Sequence, residues 1–186
     1  DGGKSALHAG DELSRRGWRG HFFVTSDRIG SATFLSAPEI RYLAECGHDI
    51  GSHSHTHPDI FRDQPVARML EEWRVSCDRL AEILGYRVRT ASVPGGHISN
   101  AVLASASAVG LEFLFTSGAS LHPRRVGGCW VIDRYLTTTA TSTEEMGELV
   151  SFHGWTKVFL RRRLKDLASQ SVPPLYRLYV RRKTRD

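Results

Sequence analysis

The stretch HDIGSHSHTHPDI, residues 48–60, holds four of the chain's nine histidines, and three of them, His53, His55 and His57, alternate. A short apolar run leads into it and Pro58 closes the cluster. Imidazole is the commonest metal ligand, and His53 and His57 have the i, i+4 spacing that converges on one ion if the segment makes a helical turn. Pro58 disfavours helical geometry at His57 itself, so such a turn must be short and lie in a loop. If the segment stays extended, all three imidazoles share one face at period two. Either geometry can hold a metal. His48 stands before the strand and reads as a structural residue.

Working outward, HDIGSH reads as a short strand. SAPEIRYLAECG (36–47) before it reads as a helix, with Ser36 as N-cap, Pro38 in the first turn and Gly47 at its end. SALHAGDELSRRG (5–17) predicts another helix and HFFVTSD (21–27) a buried strand. On the far side, residues 65–85 carry Val66, Met69, Trp73, Cys77, Leu80 and Leu84 on one stripe, an amphipathic helix stopped by Gly85. VRTASVPGG then predicts a strand entering a glycine-rich loop, residues 99–110 a helix, EFLFTSG a strand, and CWVIDRYLTTT (129–139) a further strand. TEEMGELVSF, GWTKVFLRRRLKDLAS and PPLYRLYVRRK read as closing helices. Helices and strands that alternate at short spacing predict parallel β/α units. In such folds sites gather at the C-terminal ends of strands, where the histidines fall.

A hydrolytic zinc site takes three protein ligands and leaves a position open for water. Asp1, just before a glycine pair and a helix, is the candidate for the third. Cysteine is no competitor: Cys46, Cys77 and Cys129 are odd in number and far apart, without a C-x-x-C pair, so they read as buried free thiols rather than a disulfide framework or zinc site. At 186 residues, 40% hydrophobic and 24% charged, with no long apolar run, the sequence predicts a soluble globular chain. Charge is uneven: residues 151–186 hold ten Lys or Arg against two Asp, a formal +8 within a chain total of +5, which leaves −3 for residues 1–150.

Three stretches together resemble the polysaccharide deacetylases of carbohydrate esterase family 4, the NodB-homology domain. His53-Ser54-His55-Thr56-His57 is similar to that family's H-[ST]-x-x-H metal motif, with His55 at a variable position, and Asp49 and the Pro58-Asp59 pair extend the likeness. The opening Asp1-Gly2-Gly3 resembles the end of the family's T-F-D-D-G motif. SVPGGHIS (92–99) resembles the third motif, R-x-P-Y-G, with Ser92 in place of the arginine and Gly95 in place of the aromatic residue. The resemblance covers about residues 1–120, and the family's late L-x-L-x-H motif has no counterpart.

What the resemblance implies is a distorted (β/α) barrel of the polysaccharide deacetylase type, with its first strand missing from this chain. Residues 1–150 would form the barrel domain and residues 151–186 a basic helical extension. The activity implied is metal-dependent removal of N-acetyl groups from amino-sugar units of a bacterial wall or exopolysaccharide glycan. Asp1, His53 and His57 would hold a divalent ion, zinc by first expectation, and Pro94, Gly95, Gly96 and Arg134 would line the substrate groove. The catalytic base is expected just upstream of Asp1, and the general acid among His97, His122 and His153. Trp18, Trp130 and Tyr135 can stack on sugar rings but read first as core. No signal peptide is visible, yet the chain opens in mid-motif, which leaves the compartment open between cytoplasm and cell envelope.

Three rival readings stand beside this one. Amidohydrolase-type barrels also use H-x-H at a strand end, but need later histidines and an aspartate on separate strands. The opening DGGKS matches the end of a phosphate loop, which would leave the histidines unexplained. A deacetylase-like fold that binds glycan without catalysis is the non-enzyme reading. For the tail, a solvated helix face is the expectation, with contact to an anionic membrane surface as the alternative. Charge alone, without a matching fold motif, gives no reason to expect a nucleic-acid partner.

Overall fold

The computed structural model describes residues 1–96, 98–118, 120–138 and 140–160. Helix α1 (Ser5–Arg15) leads to strand β1 (His21–Val24), helix α2 (Ala37–Glu45) to β2 (Asp49–Ser52), helix α3 (Val66–Leu84) to β3 (Thr90–Ser92), and helix α4 (Asn100–Ala108) to β4 (Phe113–Thr116). A hairpin of β5 (Arg124–Val126) and β6 (Cys129–Asp133) follows, then helix α5 (Thr143–Val150). The described strands form one open six-stranded sheet in the order β1-β2-β3-β4-β6-β5. β1 to β4 run parallel, with His21 beside Asp49, Ser52 beside Ala91 and Ala91 beside Leu114. Their C-terminal ends therefore open along one edge.

Local chemistry explains where the elements start and stop. Ser36 and Glu39 close a reciprocal capping box at the start of α2, the Glu39 carboxylate accepting from the Ser36 backbone N–H at 2.7 Å. Gly85 ends α3 in the left-handed conformation at φ +77°. Gly10 serves close packing instead: a Cβ there would lie 2.5 Å from Leu43 Cδ2, so the glycine lets α1 approach α2 this closely without displacing the buried Leu43. Beside that contact the buried His48 accepts from Gly20 N–H at 3.1 Å and reaches the Gly10 carbonyl at 3.0 Å, the structural role its position foretold.

Two apolar clusters lie against the sheet. Ile40, Leu43, Ile50 and Leu80 join α2 and α3 to β2, while Met69, Trp73, Val102 and Leu114 join α3 and α4 to β4. Each such side chain, fully buried, contributes about 1.5–3 kcal/mol relative to exposure. Trp73 also donates its indole N–H to Ser105 Oγ at 3.1 Å, so its one polar atom is satisfied inside the core.

The α3 stripe departs from expectation at its first residue, since Val66 begins the helix beyond the core and is exposed. Cys46, expected to be buried, is exposed as the residue capping α2, whereas Cys129 is buried and Cys77 half-buried. Neither Trp18 nor Trp130 is core. Trp18 is 62% exposed after the left-handed Gly17, under the Arg16 guanidinium. Trp130 alternates with the buried Cys129 and Val131, which turns it to the outer face of β6 at 41% exposure. Strand β5 was not foreseen in the sequence.

By contacts the chain divides into two units, one of Asp1–Thr116 with Arg124–Ile132 and one of Ser117–Pro123 with Asp133–Asp186. In the second, Tyr135 donates to Glu145 at 2.9 Å and the Trp155 indole N–H to the Leu149 carbonyl at 3.0 Å. The expected helix from Gly154 begins at residue 155; its basic continuation and the PPLYRLYVRRK segment lie outside the described residues. Among the described residues no helix is long and apolar enough to cross a membrane.

Candidate metal centre

The candidate site lies in the first unit, at the edge where the parallel strands end. β2 stops at Ser52, and the chain turns sharply through Ser54 and His57, both non-glycine residues with positive φ (64° and 56°). Such conformations cost about 1–3 kcal/mol each and persist only where surrounding bonds impose them. Here the bonds are visible. Ser52 Oγ accepts from Ser54 N–H and Ser54 Oγ from His57 N–H, both at 3.1 Å. From the adjacent segment after β1, Ser26 N–H donates to the Ser54 carbonyl at 3.2 Å and Asp27 N–H to the His55 carbonyl at 3.0 Å.

The main clamp comes from α3, at a residue the helix pattern hid. Glu72 is 1% exposed, and its carboxylate accepts from His55 N–H at 2.8 Å, Thr56 N–H at 2.7 Å and the Thr56 hydroxyl at 2.6 Å. Arg68, one turn earlier, pairs with the same carboxylate at 2.8 Å and neutralises its buried charge. The loop between the two candidate ligands thus hangs on one buried acid.

The turn brings His53 and His57 together, with ring centroids 5.0 Å apart. His55 faces elsewhere, its Nδ1 2.8 Å from Ser26 Oγ. Of the two geometries open in the sequence, the loop turn is the one present. Asp1 completes the group: its Oδ1 lies 3.1 Å from His53 Nε2 and its Oδ2 3.8 Å from His57 Nε2. One donor atom from each of Asp1, His53 and His57 lies within 4.8 Å of the others. Asp1 is held by its own backbone, since Thr25 N–H donates to the Asp1 carbonyl at 3.3 Å and Leu35 N–H to the Gly2 carbonyl at 2.8 Å.

Proton positions follow from the partners. His53 Nδ1 is 3.0 Å from the Ser92 carbonyl oxygen, which can only accept, so Nδ1 carries a hydrogen and Nε2, the nitrogen facing Asp1, is the one placed to ligate. The Ser92 hydroxyl lies 2.7 Å from the same Nδ1. Burial, aided by the neighbouring His53 and the Arg28 guanidinium, pushes the His57 pKa down to about 4, so this imidazole is neutral at pH 7 and its contact with Asp1 is not an ion pair there. One nitrogen from each of two imidazoles and a carboxylate oxygen therefore converge. That donor set fits a divalent cation. The bond from Nδ1 to a carbonyl is the outer-shell contact that commonly fixes a ligating histidine.

The remaining predicted site residues are placed as follows. Pro94–Gly96 form a tight turn just after β3, at the same sheet edge, with Gly95 exposed at φ +60°. Ser92, at the arginine position of the third motif, is spent on His53. His122 and His153 are exposed residues of the second unit, His97 lies outside the described residues, and Arg134 is half-buried just past β6 in the second unit, with burial pulling its guanidinium pKa down.

Comparison with known proteins agrees with this fold. The polysaccharide deacetylase family profile matches residues 6–114, more than half of the chain, and the chain belongs to that family. A search of curated sequences returned no match. Among solved structures, the Streptococcus pyogenes deacetylase PplD in complex with acetate superposes with a TM-score of 0.68 at 17% identity, covering 80% of this chain and 66% of that one. IcaB from Ammonifex degensii gives 0.66 at 22%, covering 76% and 66%. A CE4 family pseudoenzyme from Bacillus anthracis gives 0.53 at 15%, covering 60% and 38%. At these identities the likeness establishes the fold: an α/β fold of the polysaccharide deacetylase type. The chain spans two thirds or less of each of these structures.

Proposed function

We propose that this chain carries the active centre of a metal-dependent hydrolase that removes N-acetyl groups from amino-sugar units of a bacterial polysaccharide. The observation that carries the reading is the convergence of Asp1, His53 Nε2 and His57 at the C-terminal edge of a deacetylase-type sheet. An acetamide resists hydrolysis because its carbonyl is a poor electrophile and its amine a poor leaving group. Asp1, His53 and His57 would hold a zinc ion, and that ion when bound would supply Lewis acidity at the carbonyl and lower the pKa of a water from 15.7 toward about 7.

The chain's own residues prepare that chemistry. Ser92 fixes the His53 tautomer so that Nε2 is the ligating atom, and burial keeps His57 neutral and ready to ligate. Glu72 sets the spacing between the two imidazoles. The Pro94–Gly96 turn opens beside them, where a backbone N–H of a side-chain-poor loop can approach the acyl oxygen as it gains charge. The products are acetate and a free amino sugar.

The second reading, a glycan-binding module without catalysis, is favoured by one observation: Ser92 stands where the family motif has its arginine. Metal content of the purified protein, with His53→Ala and His57→Ala beside it, and acetate release from N-acetylglucosamine oligomers separate the two. Stoichiometric metal lost in both variants together with metal-dependent acetate release supports the hydrolase. Bound metal and bound oligomer without acetate release support the module, and absence of bound metal refutes the assigned centre.

A further inference from the structure

The end of the sheet away from the metal centre carries a pattern that the chemistry at the other end does not use. Helices α1 and α3 both stop on a left-handed glycine, Gly17 at φ +68° and Gly85 at φ +77°. Each glycine is followed by an aromatic residue and an arginine: Gly17-Trp18-Arg19 before β1 and Gly85-Tyr86-Arg87 before β3. Because β1, β2 and β3 are parallel neighbours, both tripeptides lie at the amino ends of the strands, two strand spacings or about 10 Å apart.

Neither aromatic serves the core. Gly17 N–H donates to the Ser14 carbonyl at 3.0 Å and Trp18 N–H to the Leu13 carbonyl at 2.9 Å, the paired bonds that close a helix on a left-handed glycine. In such a cap an apolar residue at the position of Trp18 commonly packs back on the one at the position of Leu13. Here Gly20 lies against Leu13 instead, since a Cβ on it would be 2.8 Å from Leu13 Cδ1 and 2.8 Å from Phe22 Cε2. The indole is left 62% exposed, with the Arg16 guanidinium 6.0 Å from its ring centroid, and Tyr86 is 51% exposed. A bonded backbone thus displays two large amphipathic rings to solvent.

The loops that carry them are basic. Residues 16–20 and 85–89 hold Arg16, Arg19, Arg87 and Arg89 and no acid. Glu12 on α1, Asp49 on β2 and Glu112 before β4 lie beside Arg15, His21 and Arg89. Arg87 is tied to the Val109 and Gly110 carbonyls, both at 3.3 Å, which leaves Arg16 and Arg19 as the cations flanking Trp18. Tryptophan and tyrosine with arginine is a composition that settles at a lipid headgroup layer, where the rings take the apolar boundary and the cations meet phosphate. A neutral glycan has no use for the arginines, and a second copy of this face would set arginine against arginine.

We infer that this end of the sheet docks on an anionic lipid bilayer, with Trp18 and Tyr86 entering the headgroup layer and Arg16 and Arg19 among the lipid phosphates. The metal centre, at the opposite ends of the same strands, is then presented away from the membrane. The inference does not depend on the reaction catalysed there.

The test is sedimentation of the full chain with vesicles of phosphatidylcholine, with and without phosphatidylglycerol. The expected result is preferential binding to the anionic vesicles. Arg16→Gln and Arg19→Gln should each weaken it by about fivefold, the share of one basic residue near such a surface. Trp18→Ala should weaken it by on the order of tenfold through lost apolar contact. Vesicles with brominated acyl chains should quench the tryptophan fluorescence of the native protein and quench it less in Trp18→Phe. Thermal melts establish that the variants fold, as expected for exposed positions. Absence of binding to anionic vesicles overturns the inference. So does binding that is unchanged in these variants, which would assign it to the basic residues 161–186. Binding that falls with the arginine changes but not with Trp18→Ala, and that soluble polyphosphate competes away, marks a polyanion site and overturns it as well.

Discussion

Replacing Glu72 tests whether the metal loop is held from below. In Glu72→Ala the N–H groups of His55 and Thr56 and the Thr56 hydroxyl lose a shared acceptor, all within 2.6–2.8 Å in the native chain. Arg68 loses its partner too, but it is 38% exposed and also pairs with Glu71, so it rehydrates at small cost. Leaving buried donors unsatisfied costs about 1–3 kcal/mol each, so the three together should cost about 3–5 kcal/mol after partial rehydration, which for a chain of this size lowers the melting temperature by ~6 to 20 °C. Glu72→Gln is the sharper probe. Its amide oxygen can keep both backbone N–H groups, which share Oε2, and the Thr56 hydroxyl can rotate to accept, so the loss falls on Arg68 alone and should be about 1–2 kcal/mol. Denaturant unfolding of metal-free protein gives the stability order, and competition with a chromophoric chelator gives zinc affinity. Because outer-shell partners typically matter 10–100-fold, affinity should fall by about that factor in Glu72→Ala and far less in Glu72→Gln. An alanine variant within about 1 kcal/mol of the native protein that binds zinc equally well would refute the reasoning.

Other perturbations address other supports of the centre. Gly2 has φ +85°, and a Cβ there would sit 3.1 Å from Val24 Cγ1, so Gly2→Ala should strain the backbone by about 1–3 kcal/mol and weaken zinc affinity by displacing Asp1. The folded pKa of His57, about 4, lies below its unfolded value of 6.5, so the unfolded chain binds more protons between them; the contribution is present above pH 6.5 and lost as pH falls through 4. Metal-free stability should drop over that window and drop less in His57→Gln, and an imidazole NMR titration that finds His57 charged at pH 5.5 would contradict the assignment. Iodoacetamide should modify the exposed Cys46 first in native protein, because burial pushes Cys77 and Cys129 up to about 11; mass spectrometry showing Cys129 modified as fast would argue against the core described.

Local signals carried the sequence a long way here. Ser36 with Glu39, and Gly85 after a long stripe, mark helix ends through bonds made within a few residues, so they are written where they act. His53 and His57 are legible for the same reason: the motif is contiguous and its chemistry restricted. Glu72 is the opposite case. It stands beside Glu71 on an amphipathic helix and looks like a second solvated acid; its partners lie 16 and 17 residues earlier, and only the fold brings them under it. Strand β5 was missed because Arg124 and Arg125 read as loop, although Gly127-Gly128 is a hairpin turn signal and Gly127 does adopt φ +58°. Trp130 looked like core by size, and its side of the strand was decided by register. The substitution of Ser92 was visible, but its bond to His53 was not.

The positions of the three candidate ligands along the chain have a consequence for folding. A metal bridging Asp1 to His53 and His57 would tie Asp1 to a loop more than fifty residues later and work as a removable cross-link. By chain entropy, closing a loop of that length constrains the unfolded ensemble by about 4 kcal/mol, comparable with a disulfide. Free zinc should then act on the kinetics as well as on the chemistry. β1 and β2, paired inside that loop, would be held near each other for as long as the ion stays bound, and chelation would release them at once.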